Sequence, residues 1–299
     1  MTQTDWERYW QGRQSDTSGA LTGVEHDQAL QRFWQQSLQS LDAERALADF
    51  ACGAGTVLKT AHQLGFTHLT GIDVSRSALE TLQRALPDVA ICQSSVDAVP
   101  LPDQHFDILV SQFGLEYAGA HAACQEAQRL LMPGGTFLAV MHMAGGAIHQ
   151  EVYGRLKMAR QIQESQFIAL SIDLFEAVYQ GDDEGVQAAV IRLQPAREVL
   201  TQLVEPGQQT FASHLIQGAA QLWQRRAHYR FEDMKDWFMG MDQELQAFCG
   251  RMQSMLDACQ TQNDLQALSA IFTDRGLHMA PVSALDLGGA PAAWILRTA

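Results

Sequence analysis

The chain has 299 residues, of which 46% are hydrophobic, enough for a sizeable core in one large domain or two ordinary ones. Its 20 Lys and Arg residues against 34 Asp and Glu residues give a formal net charge of −14. Such a charge repels phosphate backbones and anionic lipids over most of the surface. We therefore expect neither nucleic acid nor a membrane as a partner. The three arginines within residues 223–230 are typical of a solvated helix face.

Cysteine usage and the first residues indicate the cellular compartment. The five cysteines are odd in number and form no C-x-x-C pair, so the sequence predicts neither a disulfide framework nor a metal site. The first ten residues are acidic and aromatic, whereas a signal peptide needs a basic patch and then an apolar stretch. No segment approaches about 18 uninterrupted apolar residues. These features predict a cytoplasmic protein.

Between residues 45 and 142, short apolar runs alternate with amphipathic stretches, which is typical of strand–helix units around a parallel sheet. Either Ser75 or Ser77 is expected to cap the second of these helices. In chain order the sequence predicts a strand over 45–50, a helix over 57–64, a strand over 68–73, a helix over 77–86, strands over 89–92 and 106–112, a helix over 121–131 and a strand over 135–142.

A long helical region follows and is expected to break near 179–185, near 205–209 and at Gly240, which gives four or five helices. After it come a helix, a strand over 282–287, a Gly-Gly turn and a strand over 293–297. The helices therefore interrupt one α/β domain. The predicted division is N-terminal helices over 1–44, an α/β core over 45–145 and 266–299, and a helical insertion over 146–265.

A glycine turn follows the first predicted strand, in DFACGAGT (49–56). Ligands of open parallel sheets bind at the carboxyl ends of the strands. Leu58 stands where G-x-G-x-x-G needs its third glycine, which argues against a pyrophosphate ligand and a nicotinamide dehydrogenase. Asp73 ends the second strand 18 residues beyond Gly55, where a carboxylate can bind ribose hydroxyls. The alternative is that Asp73 caps the next helix.

Four segments in order resemble the motifs of class I S-adenosylmethionine-dependent methyltransferases: DFACGAGT, GIDVS, VDAVPLPDQHFDILVS and LLMPGGTFLAV. The resemblance covers residues 45–142, and residues 265–299 resemble the family's terminal hairpin. It implies a Rossmann-like, doubly wound and mostly parallel α/β sheet with a C-terminal antiparallel hairpin, here with a long helical insertion. It also implies S-adenosylmethionine as the cofactor and S-adenosylhomocysteine as its product.

The resemblance also implies which residues bind the cofactor. The loop over 49–55 approaches the methionine part, Asp73 binds the ribose and Val74 packs on the adenine. Asp97 accepts a hydrogen bond from the adenine amino group; the alternative is that it is an ordinary solvated loop acid. Ser111 and Gln112 lie near the sulfonium and the amino acid end. The implied set is Asp49, Ala51, Gly53, Gly55, Asp73, Val74, Asp97, Ala98 and Gln112.

Methyl transfer from a sulfonium is an in-line displacement on an activated donor, so the scaffold mainly aligns the reactants and excludes water. A base helps where the acceptor must lose a proton. Among the residues after the fourth and fifth strands, His142 is the preferred base, and Glu116, Tyr117 and His121 are further candidates. Each of them could instead be an ordinary packed or solvated side chain.

The sequence leads to a small-molecule methyltransferase whose acceptor pocket is capped by the insertion, and the aromatic N-terminal helix is expected to close over the cofactor. Alternatives remain open: a methyltransferase acting on tRNA or protein, or a non-catalytic cofactor-binding partner protein. The acceptor, the acceptor atom and a possible homodimer are not determined by the sequence.

Overall fold

The computed structural model describes residues 3–11, 24–204 and 210–299. Contacts divide the chain into two compact units. We call Met1–Val152 with Ser254–Ala299 the α/β unit and Tyr153–Gln253 the helical unit. Both boundaries between them fall inside helices. The domain roles assigned from the sequence remain predictions.

One seven-stranded sheet forms the centre of the α/β unit, in the order β3-β2-β1-β4-β5-β7-β6. Strands β1 to β5 are parallel, and β7 pairs antiparallel with both β5 and β6. The predicted mostly parallel sheet with a C-terminal antiparallel hairpin is therefore confirmed. The strands are β1 Leu47–Phe50, β2 Leu69–Asp73, β3 Ala90–Gln93, β4 Phe106–Gln112, β5 Leu131–His142, β6 Ser283–Leu287 and β7 Ala290–Arg297.

Helices cover the sheet through apolar stripes at helical spacing. In α4 (Arg76–Ala85), for example, Ala78, Leu79 and Leu82 are buried and Ser75 is the N-cap, its hydroxyl accepting a hydrogen bond from the Ala78 amide. Of the two predicted candidates, Ser75 and Ser77, it is therefore Ser75 that caps this helix. The helices that lie wholly in this unit are α1 Gln3–Gln11, α2 Val24–Leu38, α3 Thr56–Gln63, α4 Arg76–Ala85, α5 Ala120–Leu130 and α11 Gln262–Thr273, with a 3-10 turn at Leu115–Ala118.

The insertion after β5 is helical, as predicted. A compact apolar core that includes Phe167, Met234, Phe238 and Leu245 fills the helical unit. Its helices are α6 Ala147–Glu164, α7 Phe167–Gln180, α8 Asp183–Gln202, α9 Phe211–Gln224 and α10 Phe231–Ala258, with a 3-10 turn at Arg226–His228; α6 and α10 continue into the α/β unit.

The predicted breaks between these helices had different outcomes. The break near 179–185 is confirmed, because α7 ends at Gln180 and α8 begins at Asp183. The break over 205–209 lies outside the described residues. The break at Gly240 is wrong, since α10 runs through it. Buried neighbours on the same helix stabilise it more than one glycine weakens it.

The sequence predicts no membrane-spanning segment. Within the described ranges, the structure contains no helix that is both long and apolar enough to cross a bilayer.

Candidate functional site

The glycine loop after β1 has a backbone that other residues would not adopt easily. Gly53 and Gly55 have φ values of +53° and +79°, in the left-handed region that favours glycine. A Cβ on Gly53 would lie 2.6 Å from the Trp10 ring, and one on Gly55 would lie 2.4 Å from the Leu82 side chain. Glycine is therefore needed for close packing as well as for conformation.

Asp73, at the end of β2, joins this loop to the start of α4. Its carboxylate accepts hydrogen bonds from the Gly53 and Ser75 amides, both at 2.8 Å. The side chain is buried, and burial raises the pKa of Asp73 although the amide hydrogen bonds oppose that shift. The cap of α4 is Ser75. Asp73 therefore fixes the loop instead of capping the helix.

Asp49 is a second buried carboxyl group close to the glycine loop. It is 2% exposed, and its Oδ1 has no hydrogen-bond partner among the described residues. Burial, and then the negative charge of Asp73, raise the pKa of Asp49 well above its usual value. A buried acceptor without a donor is rare in proteins and is a natural place for a ligand's ammonium or hydroxyl group.

The end of β4 packs tightly against the end of β1. The Ser111 hydroxyl donates to the Phe50 carbonyl at 2.7 Å, and Gln112 Oε1 accepts from the Trp34 indole at 2.6 Å. A Cβ on Gly114 would lie 2.4 Å from the Cβ of Ala51, whose own φ is +55°. These contacts hold the two strand ends in fixed register beside the glycine loop.

The three predicted catalytic residues lie together after β4 and at the end of β5. Glu116 Oε1 accepts from the His142 amide at 2.8 Å and lies 2.7 Å from His142 Nδ1. Both side chains are almost completely buried. Tyr117 packs edge-on against the imidazole, and Phe113 lies 4.4 Å from it between ring centroids. Burial, followed by the Glu116 charge, raises the pKa of Tyr117 well above its usual value.

The contact between Glu116 Oε1 and His142 Nδ1 decides which ring nitrogen is left for another partner. A carboxylate that accepts from Nδ1–H leaves Nε2 as the nitrogen that can take up a proton. Within the described part of the chain, Glu116 Oε2 is buried without a partner. The pair therefore has the arrangement of a general base and the group that orients it.

The remaining predicted residues are exposed or half-buried. Asp97 and Ala98 are exposed in the loop after β3, and Asp97 accepts a hydrogen bond from the Ser95 hydroxyl. Val74 is half-buried directly after Asp73, and His121 is exposed. Across the described ranges, no group of three or more His, Cys, Asp or Glu side chains could hold a metal ion.

Several contacts of the site were not predicted from the sequence. Glu7 of α1 accepts from the hydroxyls of Ser75 and Ser77, and hydrogen bonding with Ser77 contributes most to lowering its pKa. The backbone N–H of Gln260 donates to the His142 backbone carbonyl at 2.8 Å. These partners lie in distant segments, with no motif around them. Gln260 follows the end of α10 at Ala258 and carries no recognisable sequence signal.

Comparison with known proteins relates this site to a family. Residues 48–139 match the family model described as a methyltransferase domain. The ubiquinone/menaquinone biosynthesis C-methyltransferase UbiE of Shewanella frigidimarina is 28% identical over 193 residues, which cover 58% of this chain and 71% of that protein. The Shewanella oneidensis protein of the same name is 27% identical over the same length.

The solved structures that resemble this chain are less similar in sequence than these relatives. An S-adenosylmethionine-dependent methyltransferase from Mesorhizobium loti is 24% identical with a TM-score of 0.35, covering 42% of this chain and 56% of that one. Geranyl diphosphate C-methyltransferase from Streptomyces coelicolor, in complex with Mg²⁺, geranyl diphosphate and S-adenosylhomocysteine, is 19% identical with a TM-score of 0.39, covering 47% and 64%. This chain therefore spans less than two thirds of either protein.

The matched domain begins within β1 and ends within β5, and it contains the glycine loop, Asp73 and the ends of β1 and β4. Together with the sequence relatives and the strand order of the sheet, it confirms the resemblance of the four motifs. Residues 48–139 are therefore a methyltransferase domain of the class I S-adenosylmethionine-dependent type, and S-adenosylmethionine is its cofactor.

Proposed function

We propose that this methyltransferase methylates a small molecule by in-line displacement, with His142 as the base that removes the acceptor's proton. The buried Glu116–His142 pair is the observation on which this proposal depends. The relatives named for ubiquinone and menaquinone biosynthesis support a small organic acceptor. The formal charge of −14 argues against tRNA.

The residues around the glycine loop fit the cofactor. Asp49 offers a buried oxygen without a donor, which suits the ammonium group of the methionine part. Asp73 oxygens already accept one backbone amide each, and each keeps a further lone pair for a ribose hydroxyl. Val74 and Asp97 would contact the adenine. When bound, the cofactor supplies a methyl group activated by a sulfonium.

The chain's own residues then position and deprotonate the acceptor. Glu116 is a positioning residue, because it holds the His142 ring and its Nδ1 proton and leaves Nε2 to accept a proton. Tyr117 and Phe113 pack on the imidazole and exclude water from it. A neutral Tyr117, favoured by its raised pKa, can donate a hydrogen bond to the acceptor.

We also propose that the helical insertion covers the acceptor during the reaction. The connection between β5 and α11 is far longer than the few residues typical of such units, and loops or lids of this kind exclude water from many active sites. The aromatic helix α1 has the same proposed role over the cofactor, because Trp10 packs against Gly53.

Calorimetry with S-adenosylmethionine, S-adenosylhomocysteine and NAD tests the cofactor site. We expect micromolar binding of the first two and none of NAD. Asp73→Ala should weaken binding roughly 100-fold, because it removes charge-assisted hydrogen bonds and the acceptor that fixes Gly53. Asp88→Ala, at an exposed position after α4, is the matched control. A preference for NAD, or an Asp73→Ala variant that binds like the wild type, would contradict the proposal.

A further inference from the structure

The helical unit contains a cavity of about 840 Å³ between α7, α8 and α9. Every residue that lines it belongs to this unit. Its volume falls within the range of about 300–1,000 Å³ that is usual for small-molecule sites. The cavity is therefore large enough to bind a ligand within the helical unit alone.

The floor and walls of the cavity are apolar. Phe167, Leu174 and Phe175 are buried at its floor. Ser171, the polar residue among them, donates its hydroxyl proton to the Phe167 carbonyl at 2.7 Å, so no free polar group is left there. Further apolar side chains come from the facing helices: Leu193, Ile216, Ala219 and Trp223. Such a lining favours a hydrocarbon ligand.

The lining of the cavity extends along the axis of α8. On α8 it extends from Val190 to Gln202, which corresponds to about 18 Å along the helix axis. Pro195 lies within this stretch and removes one backbone hydrogen bond of the helix. On α9 the small side chains Ala219 and Ala220 leave space where larger residues would pack. A lining of this length can accommodate an extended hydrocarbon chain.

One cationic group lies among the polar residues at the mouth of the cavity. Arg197 lines it and is exposed, and its guanidinium makes no hydrogen bond or ion pair with other described residues. The neighbouring Glu198 carboxylate accepts from Gln194 at 3.2 Å. A guanidinium presents five N–H donors in a geometry that matches a carboxylate. The cavity therefore combines an apolar interior with a guanidinium at its mouth that can bind a carboxylate.

We propose that the helical unit binds one long-chain aliphatic carboxylate, with its hydrocarbon chain along α7, α8 and α9 and its carboxylate at Arg197. This site is separate from the proposed methyl transfer and needs no cofactor. The proposed ligand is a free monomeric carboxylate. An acyl chain of a lipid in a bilayer has the same chemistry, so the experiment must distinguish these two sources.

Calorimetry of the full chain without cofactor tests the proposal, using saturated carboxylates of 8 to 14 carbons below their micelle concentrations. We expect one molecule per chain and an affinity that increases about fourfold per added methylene, the equivalent of about 0.8 kcal/mol. The alcohol of equal length should bind about tenfold more weakly. Arg197→Gln should remove this difference, whereas Arg192→Gln, at an exposed arginine that pairs with Asp173, should keep it.

A cavity-filling pair of variants tests the location. Ala220→Phe should weaken carboxylate binding at least tenfold, while Ala188→Phe, at an exposed alanine of α8 outside the cavity, should have no effect. Ala220→Leu serves if the larger substitution lowers the melting temperature. The proposal is overturned by absent or non-saturable binding, by equal effects of both phenylalanine variants, or by binding to phosphatidylcholine vesicles but not to monomers. None of these results affects the cofactor titration.

Discussion

The two units of the molecule bury different kinds of side chain. In the α/β unit, the buried polar residues include the acids Asp49, Asp73 and Glu116 together with His142. In the described part of the helical unit, they are only Ser171 and Ser213. Both serines donate their hydroxyl protons to carbonyls in or next to their own helices. All buried ionisable side chains of the described residues therefore belong to the α/β unit.

The difference follows from the backbone of each unit. At the carboxyl ends of parallel strands, loops present amides that can stabilise a buried carboxylate, as Gly53 and Ser75 do for Asp73. A helix satisfies its interior amides itself and has none to offer between its ends. The α/β unit is thus suited to charged ligand groups and proton transfer. The helical unit can select a ligand by shape and apolar contact.

The largest expected effect comes from removing the buried base. His142→Ala should lower kcat by about 10²–10⁴-fold and leave the affinity for S-adenosylhomocysteine unchanged, because the imidazole lies with Glu116 and Tyr117 and not on the glycine loop. Transfer of a radiolabelled methyl group to a panel of small aromatic and quinone acceptors measures the first quantity, and calorimetry measures the second.

Glu116→Gln separates positioning from catalysis. We expect a smaller loss of kcat, little change in KM and a shifted pH profile, since the amide no longer fixes the Nδ1 proton. His121→Ala, at an exposed histidine, is the control and should behave like the wild type. Full activity of His142→Ala would remove the base from the mechanism while leaving the cofactor site intact.

A moderate effect is expected from the protonation of Asp49. Its raised pKa means that the free protein holds this proton to a higher pH than an ordinary aspartate does. A cationic ligand group favours the ionised form, so cofactor binding should release a proton. As the pH rises towards the raised pKa of Asp49, the affinity for the cofactor should increase by up to about tenfold per pH unit. Above that pKa the affinity should no longer change with pH.

Calorimetry in two buffers of different ionisation enthalpy measures this proton release. Asp49→Asn should abolish it and flatten the pH dependence, while Asp88→Asn should retain both. If the wild type binds the cofactor with no proton exchange throughout the pH range, Asp49 is not the partner of a cationic group.

The sequence was sufficient to predict the sheet because its signals are local. Apolar runs marked β1, β2 and β4, and the glycine turn with Asp73 followed the spacing of a known motif. His142 and Glu116 were each predicted from their position after a strand. The hydrogen bond between them was not predicted, because it depends on the side-by-side pairing of β4 and β5.

The failures depended on contacts between distant segments. Three hydrogen bonds connect elements that no local sequence pattern relates: Trp34 with Gln112, Glu7 with Ser75, and the Gln260 backbone amide with the His142 carbonyl. Gly240 was interpreted as a helix end from its low intrinsic propensity. The packing of Phe238 and Met241 on either side of it provides tertiary stabilisation that a local propensity cannot include.

The smallest expected effects come from a pair of Gly→Ala substitutions, one in each unit. Gly114→Ala should destabilise the protein by about 1–3 kcal/mol, because the new Cβ would meet that of Ala51 at 2.4 Å. Gly240→Ala should stabilise it by about 0.5–1 kcal/mol, since a Cβ there has nothing within 4 Å and alanine is the better helix former. Urea unfolding followed by circular dichroism measures both changes.

Gly250→Ala provides the internal check, because it lies in the same helix α10 and is equally free of neighbours. It should stabilise the protein to a similar extent as Gly240→Ala. If Gly240→Ala alone destabilised the protein, Gly240 would have a role in α10 beyond that of an ordinary helical residue. If Gly114→Ala were neutral, the ends of β1 and β4 would be loosely packed, and the ordered backbone assigned to the cofactor site would lose its structural basis.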